Sequence, residues 1–215
     1  MKHHAAEWVP LFPEEEVPFI LAAVLRSGVR LKKLHNIERE DHLSDRLRDL
    51  LEADKGFRSR PVELFREVPL YDRKRAKEKQ LGRSDLMFLY STGVAKPWPY
   101  FVLESKRLHV TFKSGRKSLV AEYVTGHQGM MCFVEERYSR DLESGGMLGY
   151  VFDGNVEEAR ASIAVSLDSN RKQLKCSQGS GFKSSSVLRG RVRVSESSHS
   201  LSNREFRIYH VFLAV

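Results

Sequence analysis

The chain has 215 residues, enough for one domain of generous size, and apolar residues at 41% with charged residues at 30% exclude a disordered or fibrous protein. A formal charge of +8 with a pI near 9.5 turns the surface towards polyanions, of which nucleic acid is the commonest. Cys132 and Cys176 lie far apart and show no metal-ligand spacing, which excludes a disulfide framework and points to a reducing, cytoplasmic setting; the apolar stretch around Phe19 to Leu25 is far short of a membrane span and follows Glu14-Glu15-Glu16 where a leader would be basic, so neither an export signal nor a membrane partner is expected.

In chain order, Phe19 to Lys33 reads as a helix with Ile20, Ala23, Val24 and Leu31 apolar and Gly28 as an interruption. Asn36 is placed to cap a second helix from Ile37 to about Ala53, on which Leu43, Leu47, Leu50 and Leu51 recur at helical spacing. Val62 to Tyr71 reads as a strand, and Asp72 to Arg83 as a basic polar connector. Leu86 to Tyr90 and Tyr100 to Leu108 are apolar runs on either side of a Gly- and Pro-containing loop, the pattern of a β-hairpin. A helical period over Ser118 to Ser139 is marred by Gly126 and Gly129; Gly146 to Phe152 reads as a buried strand and Val156 to about Leu174 as a helix. After a Ser/Gly-rich loop over Ser177 to Ser186, strands are expected at Val187 to Val194 and Phe206 to Val215. This order predicts a mixed α/β sandwich with helices on both faces of the sheet.

The stretch that carries chemistry is Gly82-Arg83-Ser84-Asp85-Leu86-Met87-Phe88-Leu89-Tyr90, then, past the loop, Tyr100-Phe101-Val102-Leu103-Glu104-Ser105-Lys106-Arg107-Leu108. Side chains two apart on a strand share a face, so Glu104 and Lys106 emerge side by side from an otherwise apolar run. A hairpin centred near Ala95 pairs residues whose numbers sum to roughly 190, which sets Asp85 beside Glu104 and Lys106, and a one-residue choice of register puts it on their face. Two carboxylates converging in this way repel one another unless a cation lies between them, and hard oxygen ligands suit Mg2+, with Mn2+ able to substitute. The ammonium of Lys106 can orient or help deprotonate an attacking water and steady charge on a phosphate.

At these residues the chain resembles the PD-(D/E)XK, restriction-endonuclease-like superfamily, whose mark is an acid at the start of one strand followed by (D/E)-x-K in the next. Asp85 matches the first position and Glu104-Ser105-Lys106 the second, while Ser84 stands where the family usually has proline. The resemblance covers roughly 37–152 and implies a mixed β-sheet with an αβββαβ core there, flanked by helices; it leaves both ends unexplained, and the chain is divided as a nuclease domain over 37–215, whose C-terminal helix and strands occupy 153–215, after an N-terminal helical extension over 1–36. It implies Mg2+-dependent cleavage of DNA, with Asp85 and Glu104 as metal ligands and Lys106 as a catalytic base or positioner. Family members often add a carboxylate from the first core helix, here Glu40, with Glu38 and Asp45 as competitors; Gln128 falls where some place an auxiliary polar residue.

Arg73, Lys74, Arg75, Lys77 and Arg83 run directly into Asp85 and are expected to hold phosphates, and Arg189, Arg191 and Arg193 alternate as a second basic stripe. His127, His199 and His210 show no metal-pair spacing and are read as structural or surface histidines. The expected function is a restriction or antiphage-defence endonuclease; the alternatives are a repair or recombination nuclease with the same site, and a catalytically silent nucleic-acid-binding subunit. No recognition module stands out, which leaves room for a protein partner that supplies targeting or activation, and for a homodimer.

Overall fold

The computed structural model of the chain describes residues 12–72, 79–91, 99–140, 142–179, 181–202 and 204–215. Helix α1 (Glu16–Gly28) buries Val17, Ile20, Leu21, Ala23 and Val24. It starts ahead of Phe19 and stops at Gly28, short of Lys33, where the backbone presses on the sheet: a Cβ on Gly28 would lie 2.3 Å from Leu213 Cδ2. Helix α2 (Glu40–Glu52) carries Leu43, Leu47 and Leu51 on one buried stripe. It starts at Glu40 and not at Ile37, because Arg39 is extended (φ −74°, ψ 150°) and Asn36 lies outside the cap position; Glu40 and Asp41 place negative charge in the first turn, where the helix dipole favours it. Helix α3 (Lys55–Arg58) is a single turn capped by Asp54, whose side chain accepts from the Phe57 N–H.

The strands are β1 (Val62–Asp72), β2 (Lys79–Tyr90), β3 (Tyr100–Leu108), a small hairpin β4 (Val110–Phe112) and β5 (Gly115–Lys117), then β6 (Ser144–Val151), β7 (Lys183–Ser184), β8 (Val194–Ser200) and β9 (Glu205–Ala214). Helices α4 (Val120–Val124) and α5 (Met131–Val134) precede β6, and α6 (Val156–Ser169) follows it. The main sheet has the order β1-β2-β3-β6-β9-β8-β7; β3–β6 and β6–β9 are parallel and the other neighbours antiparallel, so the fold is mixed α/β. Alternation sends Leu86, Phe88, Phe101, Leu103 and Tyr150 into one apolar cluster with α1, α2 and α3, and Met87, Val102 and Met147 into another with α4, α5 and α6. Among the described residues, no helix is long and apolar enough to cross a membrane.

Beyond the bounds of α1 and α2, α6 ends at Ser169 and not near Leu174, and three larger expectations differ from the structure. The second half of the basic connector, from Lys79, is strand and pairs with β1. Residues 187–193 turn where a strand is expected, with Gly190 at φ 75°, so Arg189, Arg191 and Arg193 do not share a strand face. The helix over Ser118 to Ser139 is broken into α4 and α5, because the chain doubles back at Gly129 and a Cβ there would meet the Glu122 and Tyr123 carbonyl oxygens, each at 2.4 Å. Gly129→Ala should therefore lower the unfolding free energy by about 1–3 kcal/mol, the ordinary cost of overpacking, in urea titrations. A change under about 0.5 kcal/mol, the range of neutral surface substitutions, would show that this approach does not constrain the chain.

Candidate active site

Asp85 sits on β2 where pairing lapses on both sides. The β2–β3 ladder stops at Leu86↔Leu103, and the β1–β2 ladder passes from Arg66↔Leu86 to Val68↔Ser84, skipping Glu67, whose φ is 49°. With the flanking ladders open, the Asp85 side chain is free to reach β3, where its Oδ2 accepts the Ser105 N–H at 2.7 Å and the Ser105 hydroxyl at 2.6 Å. The strand is steadied just ahead of Asp85 by Tyr138, which donates to the Arg83 carbonyl at 2.8 Å.

Glu104 and Lys106 follow Val102 onto the α4–α6 face of β3, and both are buried at 3% and 7% exposure. Lys106 Nζ donates to Glu104 Oε1 at 3.2 Å, to the Ser105 carbonyl at 2.6 Å, and across the sheet end to Glu40 Oε1 at 3.0 Å. Glu40 is thus the carboxylate that α2 brings to this cluster. Its competitors are engaged elsewhere: Glu38 accepts the Leu34 N–H and pairs with Arg46, and Asp45 pairs with Arg66.

The electrostatics of the cluster are those of too many acids around one base. Burial, and then the negative charge of Asp85, pushes the Glu104 carboxyl well above the usual carboxylate range. Glu40 is raised for the same first reason, burial, with Lys106 opposing the shift and Asp85 adding to it. Burial alone would favour a neutral Lys106, but Glu104, Glu40 and Asp85 outweigh it and hold the ammonium above the ordinary lysine range. One further oxygen is left over: Glu104 Oε2 is buried and has no hydrogen-bond partner. A buried acceptor without a partner costs about 1–3 kcal/mol, more if charged, and a hard divalent cation is a partner that carboxylate oxygens suit. Glu104 Oε2 is therefore an oxygen that a bound cation would satisfy, while Asp85, Glu104 and Glu40 do not bring three ligand atoms within 4.8 Å of one another.

Of the residues expected to hold phosphates, Arg73, Lys74, Arg75 and Lys77 lie outside the described residues. Arg83 is exposed beside the site and bonds Glu67 Oε2 at 3.2 Å. Gln128 Oε1 accepts from Cys132 Sγ at 3.7 Å, and the Cys132 thiol is pushed up to about 12 by burial first and by the charge of Glu104 second. His127 is exposed, while His199 and His210 are wholly buried on β8 and β9.

Sequence reasoning missed Ser44, Ser105 and Tyr150. Ser44 Oγ lies 3.1 Å from Ser105 Oγ and 2.9 Å from the Tyr150 hydroxyl. A signal existed for Ser44, since it falls on the stripe of Glu40, Leu43 and Leu47 where an apolar residue would be the rule. Also missed was a group formed by His109, Asp153 and Glu158, the one set of three among the described residues whose ligand atoms all lie within 4.8 Å. Arg116 is already paired into it, with Nη2 at 2.7 Å from Asp153, 2.8 Å from Glu158 and 3.0 Å from His109 Nδ1, so it serves as an ion-pair network pinning the β4–β5 hairpin to α6. Comparison of the chain with protein-family models, with curated proteins and with solved structures finds no match.

Proposed function

We propose that this chain is a metal-dependent endonuclease of the PD-(D/E)XK kind that hydrolyses DNA phosphodiester bonds, in the service of restriction or antiphage defence. The observation that carries the reading is Glu104: a buried carboxylate with one oxygen unpartnered, beside Asp85 at the open end of the β2–β3 pairing and next to Lys106 on the same strand face. With the one-turn α3 and the small β4–β5 hairpin set aside, the order α2, β1, β2, β3, α4 with α5, and β6 supports reading an αβββαβ core, and the net charge of +8 suits a phosphate backbone.

Asp85 and Glu104, with Glu40 facing them across Lys106, are the residues that would hold Mg2+ or Mn2+; the bound ion supplies Lewis-acid polarisation of the phosphodiester and activation of a water nucleophile. The protein's own part begins with Lys106, whose ammonium stays charged among three acids and is placed to orient the attacking water and to steady charge on the phosphate. Glu104 and Glu40 keep that ammonium in place through its hydrogen bonds, and burial of the cluster strengthens each of these interactions.

The test is incubation of the purified chain with linear, nicked, branched and single-stranded DNA and an RNA control, in Mg2+, Mn2+, Ca2+ or chelator. Cleavage is expected in Mg2+ and Mn2+, with binding but no cleavage in Ca2+, whose looser coordination polarises water less. Binding in Ca2+ should weaken steeply as salt rises, as phosphate contacts dictate. Binding without cleavage in any metal would sink the nuclease reading and leave a nucleic-acid-binding subunit in its place.

A further inference from the structure

The hydroxyls of Tyr150, Ser44 and Ser105 form a chain whose direction is set by its last member. Ser105 Oγ donates to Asp85 Oδ2 at 2.6 Å, so the single proton of that hydroxyl is committed there. Ser105 Oγ must then accept from Ser44 Oγ at 3.1 Å, and Ser44 Oγ must accept from the Tyr150 hydroxyl at 2.9 Å. All three donors are wholly buried, so solvent cannot substitute for any link. The chain crosses four elements: Tyr150 on β6, Ser44 on α2, Ser105 on β3 and Asp85 on β2. Ser44 lies one turn beyond Glu40 on α2, so the same chain that fixes Asp85 also fixes the end of the helix that bears Glu40.

We propose that Tyr150, Ser44 and Ser105 are a one-way donor relay that positions Asp85 and the Glu40 end of α2 for a divalent cation. Ser105, the middle residue of the Glu-x-Lys triplet, is in this reading a positioning residue. The inference rests on the metal-dependent site proposed above. Its physical basis is preorganisation: Oδ2 is bound twice by Ser105, through its N–H and its hydroxyl, which fixes the rotation of the carboxylate and leaves Oδ1 as the oxygen offered to the cation. Removing the Ser105 hydroxyl releases one of those two bonds and strands the Ser44 proton in a buried place.

Calorimetric titration of the DNA-free protein with Mn2+ tests this without reference to cleavage. Ser105→Ala should weaken Mn2+ binding by roughly tenfold or more, the usual effect of losing a residue that orients a ligand. Ser105→Thr, which keeps the hydroxyl, should bind within about twofold of wild type, and Ser44→Ala, which removes the next donor, should weaken binding by about threefold, a smaller loss because the Asp85 contacts survive. Ser44→Ala also keeps the test open if Ser105→Ala fails to fold. In cleavage assays the Ser105→Ala defect should lie in the Mn2+ concentration required and be largely recovered at saturating metal. Mn2+ affinity equal to wild type in Ser105→Ala or in Ser44→Ala, or a loss in Ser105→Ala that Ser105→Thr shares, overturns the relay alone. Failure of the wild-type protein to take up any Mn2+ overturns the metal-dependent site and the relay with it.

Discussion

Glu104→Gln and Asp85→Asn are each expected to reduce Mg2+-dependent DNA cleavage on the order of 10³-fold, equivalent to about 4 kcal/mol of lost transition-state stabilisation. Both substitutions keep size and remove only the negative charge that a cation needs. The two should differ in stability. Glu104 is held against burial and against the charge of Asp85, so a neutral amide in its place relieves a strained position, and Glu104→Gln should keep or raise the melting temperature while activity disappears. Asp85→Asn exchanges the Oδ2 acceptor of Ser105 for an amide, and its melting temperature should fall. Lys106→Ala should also abolish cleavage, but for a different reason: it leaves the carboxylates of Glu104 and Glu40 without their shared ammonium. A divalent cation then has less competition, and Mn2+ should raise the melting temperature of Lys106→Ala by more than that of wild type. Undiminished cleavage by Glu104→Gln would sink the site, and an equal Mn2+ shift in Lys106→Ala and wild type would separate the ammonium from the cation.

The central part of this arrangement is legible from residues alone, for physical reasons. Glu104 and Lys106 interrupt an apolar run at a spacing of two, which strand geometry converts into one face, and the length of the hairpin loop sets which residue of β2 stands opposite. The observed partners Leu86↔Leu103 differ by a single residue from the expected sum, which leaves Asp85 on the face of Met87 and hence of Glu104. Relations between distant segments are not legible. Ser44, Ser105 and Tyr150 meet through packing of α2, β3 and β6, and no local pattern encodes that meeting. Gly126 and Gly129 are visible as helix-weakening residues, but that the chain reverses there depends on how closely Gly129 approaches the Glu122 and Tyr123 carbonyls. Alternation over 187–194 imitates a strand, yet Gly190 in a left-handed turn and an exposed Val192 show that the alternation has no sheet beneath it. The strands of the β4–β5 hairpin, three residues each, are too short for any period to register.

Acidification should destabilise the fold through two histidines remote from the site. His199 Nδ1 lies 2.8 Å from the Leu174 carbonyl, which can only accept, so neutral His199 carries its proton on Nδ1 and its Nε2 accepts from Ser197 Oγ at 2.8 Å. Ser197 Oγ in turn accepts from His210 Nε2 at 2.9 Å, and His210 Nδ1 accepts from the Tyr123 hydroxyl at 3.0 Å. Every group is buried and every proton is assigned with both rings neutral, so a second proton on either ring brings a charge into an apolar layer roofed by Phe182. Burial accordingly pushes His199 below the ordinary histidine value of 6.5 and His210 well below it, the latter also through the neighbouring His199. The folded pKa values are depressed, so below the unfolded value the unfolded chain binds more protons, and stability is lost as pH falls through about 6.5. Each histidine contributes a slope of about 1.4 kcal/mol per pH unit once the unfolded form is fully protonated, or about 2.7 for the pair. The raised carboxyls of Glu104, Glu40 and Glu14 act in the opposite sense, because the folded state takes up their protons first, and they offset part of the measured slope. Comparison of wild type with His210→Gln removes that offset: between about pH 6 and pH 5, urea titrations should show a slope shallower by about 1.4 kcal/mol per pH unit in the variant, whatever its absolute stability. An identical slope in the two proteins would mean that His210 titrates in the folded state as it does in the unfolded chain.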